Sequence, residues 1–326
     1  MELDHKLNLG FFPTPLHLLP RLSEKYPGYN IYIKRDDQTG LASGGNKTRK
    51  LEYLIREALV NNCNTVITAG AQQSNHCRQT AAACAASGLE CHLLLGGTEP
   101  EKYNGNLLLS YLLGATIHFT GENRKGEDID TLKTELGKNG RRCYLIPYGG
   151  SNSIGALGFV NAAKELKQQL SDLKLEIDYI FFASSSGGTQ AGLTLGKDLF
   201  GLNAELMPVN IEKSEMEGIS LEQVVLNILK EEKKTLGFEK EYRLEEIKLV
   251  RGYDENEYGV VTDDEIFAIK LLATCEGILL DPVYTARAFF GMMDHLEHEK
   301  ISKDSNVLFW HTGGLPANFY YADQLK

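Results

Sequence analysis

Short apolar runs rich in Val, Ile, Leu, Phe and Tyr alternate with longer amphipathic stretches along almost the whole chain. The runs predict strands over 31–35, 65–70, 90–95, 115–119, 143–147, 179–184, 205–211, 247–250 and 306–310. Helical spacing between them predicts helices over 48–61, 74–87, 105–113, 154–170, 189–201, 216–233, 263–276 and 284–297. Alternation of this kind implies an α/β fold, with parallel strands covered by helices on both faces. The run Tyr179-Ile180-Phe181-Phe182-Ala183 is continuously apolar, as a strand buried on both faces requires. Thr262 with Glu265 three residues on reads as a capping box and fixes one helix start. The charge-rich stretch 230–246 reads as a solvated helix and loop. No Pro/Ser-rich linker divides the chain, which is expected to pass between lobes more than once.

Composition narrows the class without naming a chemistry. The 326 residues carry 34 basic and 44 acidic side chains, a formal charge of −10. That balance argues against a nucleic-acid backbone or an anionic membrane as main partner. No apolar run approaches the ~20 residues of a membrane span, and the first residues lack a signal-peptide core. Six cysteines without a CxxC pair suit a reduced, cytoplasmic compartment better than a disulfide scaffold. Cys77, Cys84 and Cys91 recur every seven residues and are expected to pack together on one helical face. No His, Cys or Asp set recurs at metal-ligand spacing, so no metal is expected.

The 32 glycines are unevenly placed, and many fall where a strand gives way to a helix. Ligands in α/β sheets bind at such junctions, because helix starts point free amides at anions. The first junction, Ser43-Gly44-Gly45-Asn46-Lys47, is no P-loop: counting from Gly40, Asn46 stands where lysine is required. A lysine at a Gly-rich helix start suits a Schiff-base role instead. The second junction, Ala69–His76, offers Ser74 and Asn75 at the head of a helix. The third, Ser184-Ser185-Ser186-Gly187-Gly188-Thr189-Gln190, combines hydroxyls with close backbone approach, a phosphate cradle. Glycines at 187, 188 and 192 do not spell GxGxxG, although Glu212 lies where a ribose-binding acid would; a nicotinamide enzyme is a weak alternative. The fourth group comprises Asp281-Pro282-Val283-Tyr284-Thr285 and His311-Thr312-Gly313-Gly314. One lysine, one phosphate loop and several hydroxyls together point to pyridoxal phosphate chemistry.

These segments occur in an order that resembles one family. They are Gly44-Gly45-Asn46-Lys47-x-Arg49-Lys50-Leu51-Glu52, Gln73-Ser74-Asn75-His76-x-Arg78-Gln79, Ser185-Ser186-Gly187-Gly188-Thr189-x-Ala191-Gly192, Asp281-Pro282-Val283-Tyr284 and His311-Thr312-Gly313-Gly314. The chain looks like the D-cysteine desulfhydrase / 1-aminocyclopropane-1-carboxylate (ACC) deaminase family, which depends on pyridoxal 5'-phosphate. One departure is Ala286-Arg287, where the family commonly has Gly-Lys.

The resemblance implies a two-lobed, three-layer αβα fold of the tryptophan synthase β type. Residues 1–48 and 158–326 would form the large cofactor-binding lobe and 49–157 a small inserted lobe, in a homodimer. It implies that Lys47 holds the cofactor covalently and that Asn75 bonds the cofactor's ring hydroxyl. The amides of Gly187, Gly188, Thr189 and Gln190 would hold the phosphate. Ser74 would sit beside the substrate as carboxylate ligand, nucleophile or base, with Tyr284 and Tyr258 across from it. In the deaminase branch Glu and Leu stand where this chain has Thr285 and Thr312. A hydroxyl cannot hold a protonated pyridine ring as a carboxylate does, which favours α,β-elimination over cyclopropane opening. The expected reaction is conversion of D-cysteine, a small amino-acid substrate, to pyruvate, ammonia and hydrogen sulfide. Alternatives are ACC deamination or elimination from another β-substituted amino acid such as cysteate.

Overall fold

The alternating elements divide between two sheets, five strands in one and four in the other. A computed structural model describes residues 3–211, 218–255 and 259–326. In chain order come β1 (Leu16–Leu18), α1 (Pro20–Lys25), β2 (Tyr29–Arg35), α2 (Lys47–Val60), β3 (Thr65–Gly70), α3 (Asn75–Ser87) and β4 (Glu90–Leu95). Next are α4 (Gly105–Leu112), β5 (Thr116–Phe119), α5 (Ile129–Lys138), β6 (Cys143–Leu145), α6 (Ser153–Leu173) and β7 (Tyr179–Ser184). The chain closes with α7 (Gly188–Phe200), β8 (Glu205–Asn210), α8 (Leu221–Leu236), α9 (Asp263–Glu276), α10 (Thr285–Glu297), β9 (Ser305–His311) and α11 (Ala317–Tyr320).

The larger sheet runs β1-β2-β9-β7-β8 and is parallel except for its edge strand β1. The smaller runs β5-β4-β3-β6 and is parallel throughout. Because side chains alternate across a strand, the continuous apolar runs supply two cores each. Phe181, Val307 and Phe309 face α9 and α10 with Phe289 and Met292, whereas Ile180, Phe182, Leu308 and Trp310 face α6 and α7 with Phe159 and Leu193. In the smaller sheet Val66, Leu93 and Leu95 meet Leu51, Leu54 and Ile55 of α2, with Cys77, Cys84 and Cys91. The three cysteines are therefore core residues, but they do not share a helix. α3 stops at the left-handed Gly88, and Cys91 lies in β4.

Four other expectations change. Ile129, Leu132 and Leu136 form the inner face of α5 beneath Ile67 and Ala69, a helix that is not among those expected from the sequence. Segment 247–250 forms no strand: Val250 makes one bridge with Val209, and the Lys248 carbonyl accepts from Gln190 Nε2 at 2.9 Å. The charged stretch from 230 is not wholly solvated, since Glu232 is fully buried among the core residues of α8. The helix expected over 216–233 starts later, at Leu221 with Ser220 as its cap: 218–220 are not helical, and 216 and 217 fall outside the described residues. The capping box at Thr262 is present, Glu265 accepting from the Thr262 amide at 2.8 Å. Arg287, the family departure, donates from Nε to the same Glu265 at 2.7 Å and from Nη1 to the Ile211 carbonyl at 2.7 Å.

One buried ionic cluster ties the N-terminal segment, β2, α2 and α6 together. Arg49 donates from Nε and Nη2 to both oxygens of Asp36, each at 2.8 Å, and from Nη1 and Nη2 to Glu165 at 3.0 Å. Lys34 bonds the same Glu165, and the Thr14 hydroxyl donates to Asp36 at 2.9 Å. Removing one partner of such a cluster leaves an uncompensated buried charge, a loss of about 3–5 kcal/mol.

Candidate active site

The junctions singled out by sequence converge on one cavity beyond the carboxyl ends of β3, β6, β7 and β9. It is bordered by Asn46 and Lys47 ahead of and opening α2, Ser74 to His76 at the head of α3, Ser184 to Gly187 and Thr189 around the start of α7, Tyr284, and Thr312 after β9.

Lys47 reaches the cavity at the first turn of α2 and donates from Nζ to the Gly149 carbonyl at 3.0 Å. Burial pulls its amine down from 10.5 to about 8, partly opposed by a hydrogen bond with Lys50. A fair fraction of the amine is therefore neutral, and nucleophilic, near neutral pH. Lys50, one turn on, is fully enclosed and donates to the Gly149 carbonyl at 3.2 Å and the Ser151 hydroxyl at 2.9 Å. Burial, and then the charge of Lys47, push Lys50 well below its ordinary value.

Opposite them, α7 begins with an open amide cradle. The amides of Gly187, Thr189 and Gln190 have no hydrogen-bond partner among the described residues, and Gly188 N reaches only the Ser151 hydroxyl at 3.2 Å. A Cβ on Gly188 would lie 2.8 Å from Ser151 Oγ and 2.9 Å from Lys50 Nζ, so this position excludes a side chain. The Gln190 side chain turns away: Oε1 accepts from Ser184 Oγ at 2.7 Å.

The remaining wall is set by hydrogen bonds. Ser74 caps α3, its Oγ accepting from the Cys77 amide at 3.2 Å while the residue borders the cavity. His76 is neutral, pushed well below 6.5 by burial and by the Lys47 and Lys50 charges. The Thr68 hydroxyl donates to the Ile146 carbonyl at 2.8 Å, so it accepts from His76 Nε2 at 2.9 Å and leaves Nδ1 as a bare, buried acceptor. Asn75 accepts at Oδ1 from Asn106 at 2.8 Å. Thr312 and Tyr284 both border the cavity. Thr285 stands behind that wall, its hydroxyl donating to Asp281 Oδ1 at 2.6 Å. Tyr258 and Glu212 lie outside the described residues.

Sequence reading missed the turn Tyr148–Gly150 with Ser151, which carries the carbonyl bonded by both lysines and the hydroxyl bonded by Lys50. Its signal was visible: Tyr148-Gly149-Gly150-Ser151-Asn152 is a fifth Gly-, Ser- and Asn-rich passage from strand to helix. Gly149 takes φ +66°, and a Cβ there would lie 2.2 Å from Ser186 Oγ.

The residues present fit pyridoxal phosphate. Unpaired amides and an enclosed lysine side chain answer a phosphate, a lowered-pKa lysine answers an aldehyde, and an Asn amide answers a ring hydroxyl.

Comparison with known proteins agrees. Residues 7–313 match the family described as pyridoxal-phosphate dependent enzyme. A D-cysteine desulfhydrase of Klebsiella pneumoniae is 43% identical over 98% of this chain and 97% of its own length. The corresponding protein of Salmonella paratyphi A is 42% identical over 97% and 96%. A crystal structure of an ACC deaminase homologue superposes with a TM-score of 0.89 at 36% identity, covering 98% of this chain and 95% of its own.

Proposed function

The chain belongs to the pyridoxal-phosphate dependent enzyme family, and on that premise we propose that it is a lyase converting D-cysteine and water to pyruvate, ammonia and hydrogen sulfide. Its architecture is the tryptophan synthase β-like fold. The observation that favours this branch is electrostatic. Among the described residues no Asp or Glu borders the cavity, while Thr312 does and Thr285 is engaged by Asp281. A site without a carboxylate at the cofactor's ring nitrogen does not hold that ring protonated, and elimination of a good leaving group demands less of it than ring opening.

When bound, pyridoxal phosphate supplies the electron sink that stabilises negative charge at the substrate Cα. The chain supplies position and proton transfer. The amides of Gly187, Gly188, Thr189 and Gln190, with Lys50 behind them, hold the phosphate, and Asn75 meets the ring hydroxyl. Lys47 anchors the cofactor and, with its amine near 8, is the base for the Cα proton. Ser74 and Tyr284, which both border the cavity, face the substrate, Ser74 holding its carboxylate. Loss of the Cα proton and departure of thiolate with the C–S electron pair leave the carbon skeleton of pyruvate, with nitrogen released as ammonia.

The strand sets support a lobe of residues 1–48 with 158–326 and an inserted lobe of 49–157, with α2 and α6 running across the division. We read the assembly as a homodimer, checked by sedimentation. We place it in the cytoplasm on its six unpaired cysteines.

The test is a product screen: sulfide and pyruvate from D-cysteine, against L-cysteine, cysteate, β-chloro-D-alanine and ACC. Equimolar sulfide and pyruvate from D-cysteine is the expected result. Pyruvate from β-chloro-D-alanine but not from D-cysteine would move the reading to another leaving group. ACC consumed while D-cysteine yields no sulfide would replace it with the deaminase, which the ACC deaminase homologue at TM-score 0.89 keeps in view.

A further inference from the structure

Asn106, in the first turn of α4, is fully buried and hydrogen-bonded at both ends of its side chain. Arg78 Nε donates to Asn106 Oδ1 at 2.7 Å. Asn106 Nδ2 donates to the Gln73 carbonyl at 2.9 Å and to Asn75 Oδ1 at 2.8 Å. Donor parity fixes this order independently of how any amide is drawn. A guanidinium has only donors, so the atom facing Arg78 is the Asn106 oxygen. The opposite end is then nitrogen, as the Gln73 carbonyl, an acceptor only, also demands. The Asn75 atom it meets must be the oxygen, and Asn75 Nδ2 is left on the other side, 2.9 Å from where a Cβ on Gly314 would stand. Arg78 in turn holds the Ala42 carbonyl and, at 3.0 Å, the Gly44 carbonyl, in the loop that leads to Lys47.

We propose that Asn106, backed by Arg78, is a positioning residue that locks the Asn75 amide so that it presents an N–H donor to the ring-hydroxyl oxygen of pyridoxal phosphate. The inference rests on the reading that Asn75 meets that oxygen. A donor stabilises the oxygen in its ionised form, whereas a turned amide would set a carbonyl oxygen against it. Asn106 never touches the cofactor; it chooses which end of Asn75 does.

N106D tests this, because it keeps shape and the Arg78 bond but replaces the inner donor with an acceptor, which turns Asn75 around. Cofactor affinity is measured by titrating apoprotein with pyridoxal phosphate, alongside the visible absorbance band of the bound form and the apoprotein melting temperature. N106A serves where N106D fails to fold, and N75A is the reference. The expected result is at least a tenfold weaker affinity in N75A and N106D, with the absorbance band of N106D displaced and its melting temperature within a few degrees of wild type. If N75A binds weakly while N106D and N106A bind as wild type with an unmoved band, the positioning role is wrong. A loss of affinity in N106D with an unmoved band also overturns it, since that marks a merely structural residue. If N75A itself binds as wild type, the placement of Asn75 at the cofactor falls, and the inference with it.

Discussion

Helix α2 opens with Lys47, Arg49 and Lys50, and the fold sends these cations in two directions. Arg49 turns into a cluster in which every charge is answered. Burial alone would weaken its proton affinity, but Asp36 and then Glu165 outweigh it and raise the guanidinium above its ordinary value. Lys47 borders the cavity and Lys50 lies just behind its wall, and between them they bond a carbonyl and a hydroxyl but no carboxylate among the described residues. Burial therefore dominates and lowers both. Lys50 feels one buried carboxylate among the described residues, Glu232, whose oxygens have no hydrogen-bond partner among them and whose pKa burial drives well up. The difference separates structure from function within one helical turn. A cation already paired holds the fold, and a cation left unpaired beside free amides awaits an anion.

The comparison breaks most visibly at Lys47. Lys47→Ala removes anchor and base together, and pyruvate release from D-cysteine should fall by about 10³-fold or more, with the apoprotein's melting temperature held. Arg49→Met should do the reverse. It strands Asp36 and Glu165 and should cost about 3–5 kcal/mol in urea unfolding, while any protein still folded binds cofactor. Lys50→Met should weaken cofactor binding by about 10–100-fold, the worth of one charge-assisted bond, without destabilising the apoprotein. If Lys50→Met unfolds the chain as Arg49→Met does, the two faces of α2 are not distinct. The smallest effect is in acid. Burial would raise Glu165, but Arg49 and then Lys34 hold it at about 2, below its ordinary 4.5. Its contribution is thus present above pH 4.5 and lost as pH falls from 4.5 towards 2. An acid-unfolding series should show that loss in wild type and a shallower one in Arg49→Met.

Much of the fold class and of the site was legible in the chain. Strand-to-helix alternation gave the α/β class, and the Gly-, Ser- and Asn-rich junctions gave Lys47, Ser74, Asn75 and the Gly187–Gln190 loop a common cavity. What stayed hidden depends on partners distant in sequence. The split into two sheets follows from which strands pair, and periodicity carries no such information. Glu232 reads as one more charge in a charged run, and only its spacing from Val225, Ile228 and Leu229 puts it on the buried face of α8. Thr285 follows Tyr284 in sequence, yet a helix start turns consecutive residues apart, so one borders the cavity and the other serves Asp281. Asn106 has no local signal, because its role exists only through Arg78 and Asn75.

The most direct test of the division within α2 is to locate the cofactor chemically. Holoprotein treated with borohydride, which fixes a covalently held pyridoxyl group on its lysine, is digested and its peptides weighed. The account predicts the added mass on Lys47 alone, with Lys50 unmodified. A label on Lys50, or on no residue of α2, would contradict it.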